Sequence, residues 1–361
     1  MYTTSDLIKK LANLQSSGDQ YFQKGLFPSY RFHHHLPYLR KDNNIFFTAS
    51  IIFILQNLLH HLSSGDRKIV SGIIEKGVGC YPFYQNKNGL MTYNFWQNHP
   101  IKHFPNGYFM SKLKHFVIPD DIDDTALIYL TNNPTKEDLH WLKLKLSQHA
   151  NLSDRMNLSC PVKYRHLKVY STFFGKNMPI QFDFCALCNL MYLAFKYDLQ
   201  INKHDEDTLF FLNQVLQSND HLNQPFHVAP NYGKSTLILY HAARLCESFD
   251  HPALQTMRRK ILIDLPHMAG LVKNNSEDQL LVAIAQLKMG QKPLPIQQPE
   301  IENVPVPYFF AGMLNAYEGW LARKLAPNSW FHLYYHCRAY YWCLMLEYEV
   351  LRQQKLPSGI S

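Results

Sequence analysis

Helical periodicity runs through this chain from end to end, and clean strand-type alternation is almost absent from it. Apolar residues recur at helical spacing over 5–22, 45–62, 66–77, 121–132, 135–149, 182–198, 205–217, 233–248, 251–264, 276–289, 308–325 and 330–354. The pattern predicts an all-α protein of about twelve helices. Start signals support several of them. Asp66 and Asp205 each open one, Thr135 with Asp138 makes a capping box, and Ser276 stands three residues before Gln279. Breakers separate the rest: Pro119, Asn132-Asn133-Pro134, Pro225, Pro230 and Pro252.

Twelve helices pair into six hairpins. Helix 182–198 is apolar nearly all round and belongs inside, whereas 135–149 keeps Leu139, Leu142 and Leu146 on one face and charge elsewhere. Inner buried helices alternating with outer amphipathic ones describe a single (α/α)6 toroid spanning 1–361, with an irregular helical bundle as the rival. Residues 291–307 carry five prolines and no helical period. Too little chain follows for a second domain, so this stretch reads as an extended strap within one globule. The region 79–118, rich in Tyr, Asn, Pro and Gly, reads as a loop over one mouth of the fold.

A 46% hydrophobic, 14% aromatic and only 18% charged chain is not disordered. The longest uncharged apolar run, Ile45 to Leu55, is far short of the roughly 20 residues a membrane span needs. Met1-Tyr2-Thr3-Thr4-Ser5-Asp6 does not open a secretory signal, so the expectation is a cytoplasmic protein. The net charge of +8 is dispersed and forms no basic arm, which argues against nucleic acid as a partner. Seven cysteines, an odd number set mostly in apolar helices, read as free thiols. Cys185 and Cys188 have redox spacing without a second pair, and read as core residues one turn apart.

The sharpest local feature is Ile118-Pro119-Asp120-Asp121-Ile122-Asp123-Asp124-Thr125-Ala126-Leu127. Four carboxylates in five positions open an apolar helix. Asp is a good N-cap, and the helix dipole favours acids there. Capping needs one or two acids, however, and crowded like charges raise at least one pKa. A carboxylic acid kept neutral near pH 7 is a proton donor. On the residues alone, capping, acid catalysis and a metal site all stay open.

Asp121-Ile122-Asp123-Asp124-Thr125-Ala126 resembles the DxDDTA signature of class II terpene cyclases, the squalene-hopene cyclase and copalyl diphosphate synthase type. Those enzymes are built from α/α toroids. The resemblance implies proton-initiated cyclisation of a polyprenyl chain, with or without a diphosphate. Asp123 is then the general acid, Asp121 and Asp124 orient its proton, and Thr125 bonds to the cluster. No cofactor is needed for protonation. A fainter likeness to the Gln-Gly-Trp repeat of triterpene cyclases lies in Lys76-Gly77 and the Phe83–Gly89 stretch before Phe95-Trp96. Family members usually combine two toroids, and this chain has length for one. Its chamber is then the hole of a single ring or is completed by another subunit, so an oligomer and contact with a membrane surface both stay open. The same acids spell DDxxD, which in class I terpene synthases holds Mg²⁺ on a substrate diphosphate; Asp120, Asp121 and Asp124 are the ligands on that reading.

A carbocation needs a dry, electron-rich wall. Tyr93, Phe95 and Trp96 in the mouth loop are the best candidates. Phe83, Tyr84, Phe173, Phe174, Phe182, Phe184, Tyr192, Tyr232, Tyr240, Phe309, Phe310, Trp320, Trp330, Tyr334, Tyr335, Tyr340, Tyr341 and Trp342 are further aromatics that pack in the core or line a pocket. Asp183, an acid in an apolar helix start, caps its helix or faces the cavity of Asp123, and Asn189, Tyr240 and Arg244 are grouped with it. Lys234 and Arg244 are candidates for a diphosphate. The alternatives are a non-catalytic toroid that binds a lipid or protein partner, a carbohydrate-active toroid using Asp123 with Asp183, and a zinc site of Asp183, Cys185 and His241.

Overall fold

The structure is a computed structural model that describes residues 2–113, 116–175, 178–272, 275–296 and 308–355. In chain order the described residues form α1 (Thr4–Leu14), β1 (Ser29–Phe32), β2 (Leu39–Asp42), α2 (Phe46–Leu58), α3 (Ser64–Val78), α4 (Ile122–Thr131), α5 (Lys136–Gln148), α6 (Phe184–Lys196) and α7 (Lys203–Gln217). Then come α8 (Asp220–Asn223), α9 (Pro225–Val228), α10 (Ser235–Ser248), α11 (Gln255–Leu271), α12 (Ser276–Lys288), β3 (Phe309–Gly312), α13 (Trp320–Leu325), β4 (His332–His336) and α14 (Arg338–Lys355).

Six helices pack in a closed order: α2 on α4, α4 on α6, α6 on α10, α10 on α12, α12 on α14, and α14 back on α2. They are the apolar ones. Every residue of α4 is buried, as are Phe46 to Leu55 of α2, Phe184 to Ala194 of α6 and Ala339 to Leu351 of α14. Each Leu, Ile or Phe taken fully out of water here contributes roughly 1.5–3 kcal/mol. Amphipathic helices lie outside them. α1 packs on α14 and α3, α3 on α2, α7 on α6, and α11 on α10 and α12. α5 buries only Leu139, Leu142 and Leu146, the stripe its sequence predicts. The capping box of Thr135 and Asp138 forms as read, while α7 starts from Asn202 with Asp205 as its reciprocal partner.

The protein is mostly helical but not all-α. A four-stranded antiparallel sheet has the order β2-β1-β4-β3. Residues 308–325, expected as one helix, are β3, a turn and the short α13; the helix expected over 330–354 yields its start to β4. The first helix stops at Leu14 rather than 22. The strands hide from a local reading because they are four or five residues long and their pairing is remote. Tyr30 faces His336 and Phe32 faces Tyr334, about three hundred residues apart in the chain. The alternation is also blurred, since β1 is buried at three of four positions and β4 at three of five.

β2 runs into α2 and β4 into α14, so the sheet lies beside the starts of those two helices. The first part of the Pro-rich strap lies against α11, α12 and α14. Gln291 donates to the Leu262 carbonyl (2.7 Å), the Leu294 N–H donates to Gln286 (2.8 Å), and the Tyr348 hydroxyl donates to the Leu294 carbonyl (3.4 Å). Its remainder, 297–307, lies outside the described residues. All seven cysteines are buried free thiols. Among the described residues no helix is long and apolar enough to cross a membrane.

Candidate active site

The acidic cluster is built from the backbone outward. Asp121 is the N-cap of α4, with extended backbone. Its Oδ1 accepts the N–H groups of Asp123 (3.0 Å) and Asp124 (2.8 Å), two of the donors a helix start leaves unpaired. The Asp121 N–H donates to the Tyr93 carbonyl (3.2 Å), and the Ile122 N–H to that of Thr172 (2.8 Å). The helix start is thereby clamped between two extended segments. Thr125, expected to bond to the carboxyls, accepts the Tyr93 N–H instead (3.0 Å).

Asp123 is held at both oxygens. Asn189 Nδ2 donates to Oδ1 (2.5 Å) and the Tyr232 hydroxyl to Oδ2 (2.5 Å). Arg244, buried, in turn donates to Asn189 Oδ1, and its guanidinium lies over the Phe53 ring at 4.9 Å. Asp124 differs: its Oδ1 is buried without a hydrogen-bond partner. Burial raises the pKa of all three acids. Asp121 is pushed up to about 7. Asp124 is held well above the usual carboxylate range by burial, with the neighbouring charges of Asp121 and Asp123 adding to it. Asp123 is raised by burial too, but the Tyr232 and Asn189 hydrogen bonds and the Arg244 charge pull the other way.

All three acids line a cavity of about 1040 Å³ of empty space, its mouth included. Its wall is aromatic. Phe95, Trp96, Phe104 and Phe116 come from the 79–118 loop. Phe46 comes from the start of α2, Phe309 and Phe310 from β3, Tyr335 from β4, and Phe173 and Tyr232 from connecting segments. The rings brace one another: Phe309 stacks on Tyr335 at 4.7 Å, and Phe95 meets them edge-on at 5.6 and 5.3 Å. Gly233 adopts φ +58°, and a Cβ there would lie 2.5 Å from the Phe310 ring, so a glycine lets the Tyr232 turn reach this wall.

The other expected site residues stand at different depths. Phe95 and Trp96 line the cavity, but Tyr93 is absent from its wall and acts through its backbone clamp on Asp121. Asp183 is also off the wall. It caps α6, accepting from Cys185 (3.0 Å) and Ala186 (3.4 Å), and accepts the Asn231 N–H (2.8 Å), which anchors the turn that carries Tyr232. Burial pushes its pKa up to about 7. Asn189 and Arg244 reach the site through Asp123. Tyr240 sits deeper and donates to Glu347 (2.8 Å), which pairs with Lys288 (2.8 Å). Neither Arg244 nor Lys234 lines the cavity, and Lys234 faces Glu277 and Asp278 at 3.8 and 3.7 Å.

The donor set does not fit a DDxxD magnesium site. Asp120 turns its carboxylate away, accepting from Asn86 and Thr92 (2.5 Å each) and from Asn94 (3.2 Å), and so ties down the 86–94 loop. Asp121 and Asp124 share a side-chain hydrogen bond, so only these two of the proposed ligands meet, and Asp120 faces the other way. Among the described residues no three His, Cys, Asp or Glu side chains form a metal-binding group, those of Asp183, Cys185 and His241 included.

Sequence reading named Tyr232 only as one aromatic among many; its signal was the turn Pro230-Asn231-Tyr232-Gly233-Lys234, where a large ring stands between turn formers. Phe46, Phe104 and Phe116 carried no such signal.

The chain matches no family model, no curated protein and no solved structure.

Proposed function

We propose that this chain is a class II terpene cyclase-like enzyme built on a single (α/α)6 toroid, and that it starts cyclisation of a polyprenyl chain by protonating it from Asp123. One observation carries the reading: three buried carboxyls line an aromatic cavity, and the middle one is flanked by donors placed for its conjugate base. The closed packing of α2, α4, α6, α10, α12 and α14, with amphipathic helices outside, supports the toroid; the sheet is an addition beside the starts of α2 and α14.

The chemistry follows from the geometry. Burial raises the Asp123 pKa and so favours its protonated form more than water does. When its proton passes to a terminal alkene carbon, a carboxylate is left. Tyr232 and Asn189 already point at its two oxygens, with Arg244 behind Asn189, so the negative charge develops against donors that need not reorganise. The charge left on Asp123 in turn raises the pKa of Asp121 and Asp124, so those two acids tend to stay neutral beside it. The cation that forms meets ring faces worth about 0.5–2 kcal/mol each. Water, which would quench it, finds few polar partners on this wall. A carbohydrate fits less well. The cavity offers little to bond hydroxyls, and Asp183 is a helix cap outside it rather than a second catalytic carboxylate.

The direct test is incubation with geranyl, farnesyl and geranylgeranyl diphosphates and with squalene, with Mg²⁺ or with chelator, followed by mass-spectrometric analysis of the products. Proton-initiated chemistry gives cyclic products without release of pyrophosphate. Release of pyrophosphate, or no turnover of any prenyl chain, rejects the reading.

Tyr232→Phe probes the conjugate-base donors. Loss of one such donor lowers kcat by about 10²-fold. The acid must be protonated, so the wild-type rate is high on the acid side and falls as pH rises through the range in which the cluster ionises. Without the Tyr232 hydroxyl the carboxylate of Asp123 is less favoured, and the falling limb moves to higher pH. A lower rate with an unmoved limb makes Tyr232 a packing residue only.

A further inference from the structure

A second cavity, of about 1070 Å³ of empty space, shares a wall with the aromatic one. Asn315 lines both, and the turn before α10 straddles the boundary, with Asn231 on the aromatic side and Pro230 on the other. Asn315 Nδ2 reaches the Pro230 carbonyl across this wall at 3.4 Å.

The chemistry of the two chambers is opposite. The second is lined by Arg165, Arg323 and Lys324 and by no Asp or Glu. Arg165 Nη2 and Arg323 Nη1 donate to one and the same acceptor, the Leu158 carbonyl, at 2.8 and 2.9 Å. Two guanidiniums are thus drawn together on a neutral oxygen. None of the three cations has a carboxylate partner among the described residues, whereas lysines elsewhere, such as Lys143, Lys260 and Lys288, do. Like charges gathered in a recess without a counter-ion are a cost that a bound anion removes. A guanidinium keeps five N–H donors in a planar fork, most of them unused here, and that fork matches phosphate oxygens. Ser159 adds a neutral donor to the same wall.

We infer that this basic chamber binds the anionic head of an amphiphile whose apolar tail occupies the aromatic cavity, and that the head is a diphosphate. The inference rests on the cyclase reading for the tail and deepens it: the substrate is a prenyl diphosphate rather than a neutral hydrocarbon. Three cations around one recess suit a group carrying two or three negative charges, more than a carboxylate supplies.

Titration calorimetry with inorganic pyrophosphate tests the head site without any turnover. The wild-type chain is expected to bind it, more weakly at 200 mM than at 50 mM salt. The double variant R165Q/R323Q weakens binding about 30-fold or more, since charge-assisted bonds are lost on both sides. Because those arginines also tether Leu158, Lys324→Gln, at an exposed position, is the second variant; its loss is about 3- to 10-fold with the fold untouched. Asp123→Asn leaves pyrophosphate binding unchanged. Absence of binding at millimolar pyrophosphate, or equal binding by all variants, overturns the head site. A second arm compares prenyl diphosphate with the matching prenyl alcohol. A KM raised by K324Q for the diphosphate alone supports the inference. Equal turnover of both substrates, insensitive to the basic residues, refutes the head site and leaves the cyclase reading standing. Arginine-dependent pyrophosphate binding without turnover of any prenyl chain does the reverse.

Discussion

Asp123→Asn is expected to abolish cyclisation, by at least about 10³-fold, while the protein folds as well as before or better. The loss follows from the role, since an amide has no acidic proton to give. The retained stability follows from the surroundings. Asn is the same shape, its carbonyl oxygen can accept from Asn189, and its amide can donate to the Tyr232 oxygen once that hydroxyl turns. Removing one acid from three that are buried together also relieves their mutual repulsion near neutral pH. A structural acid behaves the other way, with stability falling and activity following it. Thermal melts and single-turnover assays on the same preparation separate the cases. Full activity in the variant, or lost activity only in step with a lowered melting temperature, sinks the general-acid assignment. Asp124→Asn is the informative companion. If the unpartnered Asp124 oxygen were the proton source, that variant and not Asp123→Asn would be the dead one.

How much of this was legible before the structure depends on range. The acidic motif was visible because its chemistry is local: four carboxyls beside Pro119 are abnormal whatever the fold. Burial of α6 was visible because that helix is apolar nearly all round, and such a helix has nowhere else to go. The sheet was not. Phe309 to Gly312 and His332 to His336 are apolar enough to pass for helix, and what makes them strands is β1, which the sequence places at the other end of the chain. The cost of missing it was functional, because Phe309, Phe310 and Tyr335 of that sheet form a wall of the cavity. Asp120 failed for a related reason. Its fate was set by Asn86, Thr92 and Asn94, which a loop brings to it, and no spacing announces such a contact. Arg244, read from the sequence as a candidate for a diphosphate, donates to Asn189, which in turn donates to Asp123, a relay that no spacing announces.

The largest stability effect is expected away from the acids, at Arg31. This side chain in β1 is fully buried and pairs with the equally buried Asp42 of β2 at 2.6 Å. Its Nε donates to the Tyr38 hydroxyl (2.8 Å), its Nη2 donates to the Pro105 carbonyl, and its guanidinium lies 4.2 Å from the centre of the Phe104 ring. One residue thus joins two strands to the loop that supplies Phe104 to the cavity wall. Replacing it by Met keeps much of the volume and removes the charge. Asp42 retains Asn44 and the Trp96 indole as donors, but no cation, and breaking a buried pair in this way costs about 3–5 kcal/mol. The urea midpoint of R31M should fall accordingly. The energy belongs to the stranded carboxylate more than to the lost attraction, so the double variant R31M/D42L should recover a large part of it. The cavity provides a second readout. With the guanidinium gone, Phe104 and the Pro105 carbonyl lose their anchor, and the double variant should regain stability without regaining full activity. If R31M/D42L is no more stable than R31M, the pair is not the source of the loss; if it restores turnover as well, Arg31 has no part in holding the wall at Phe104.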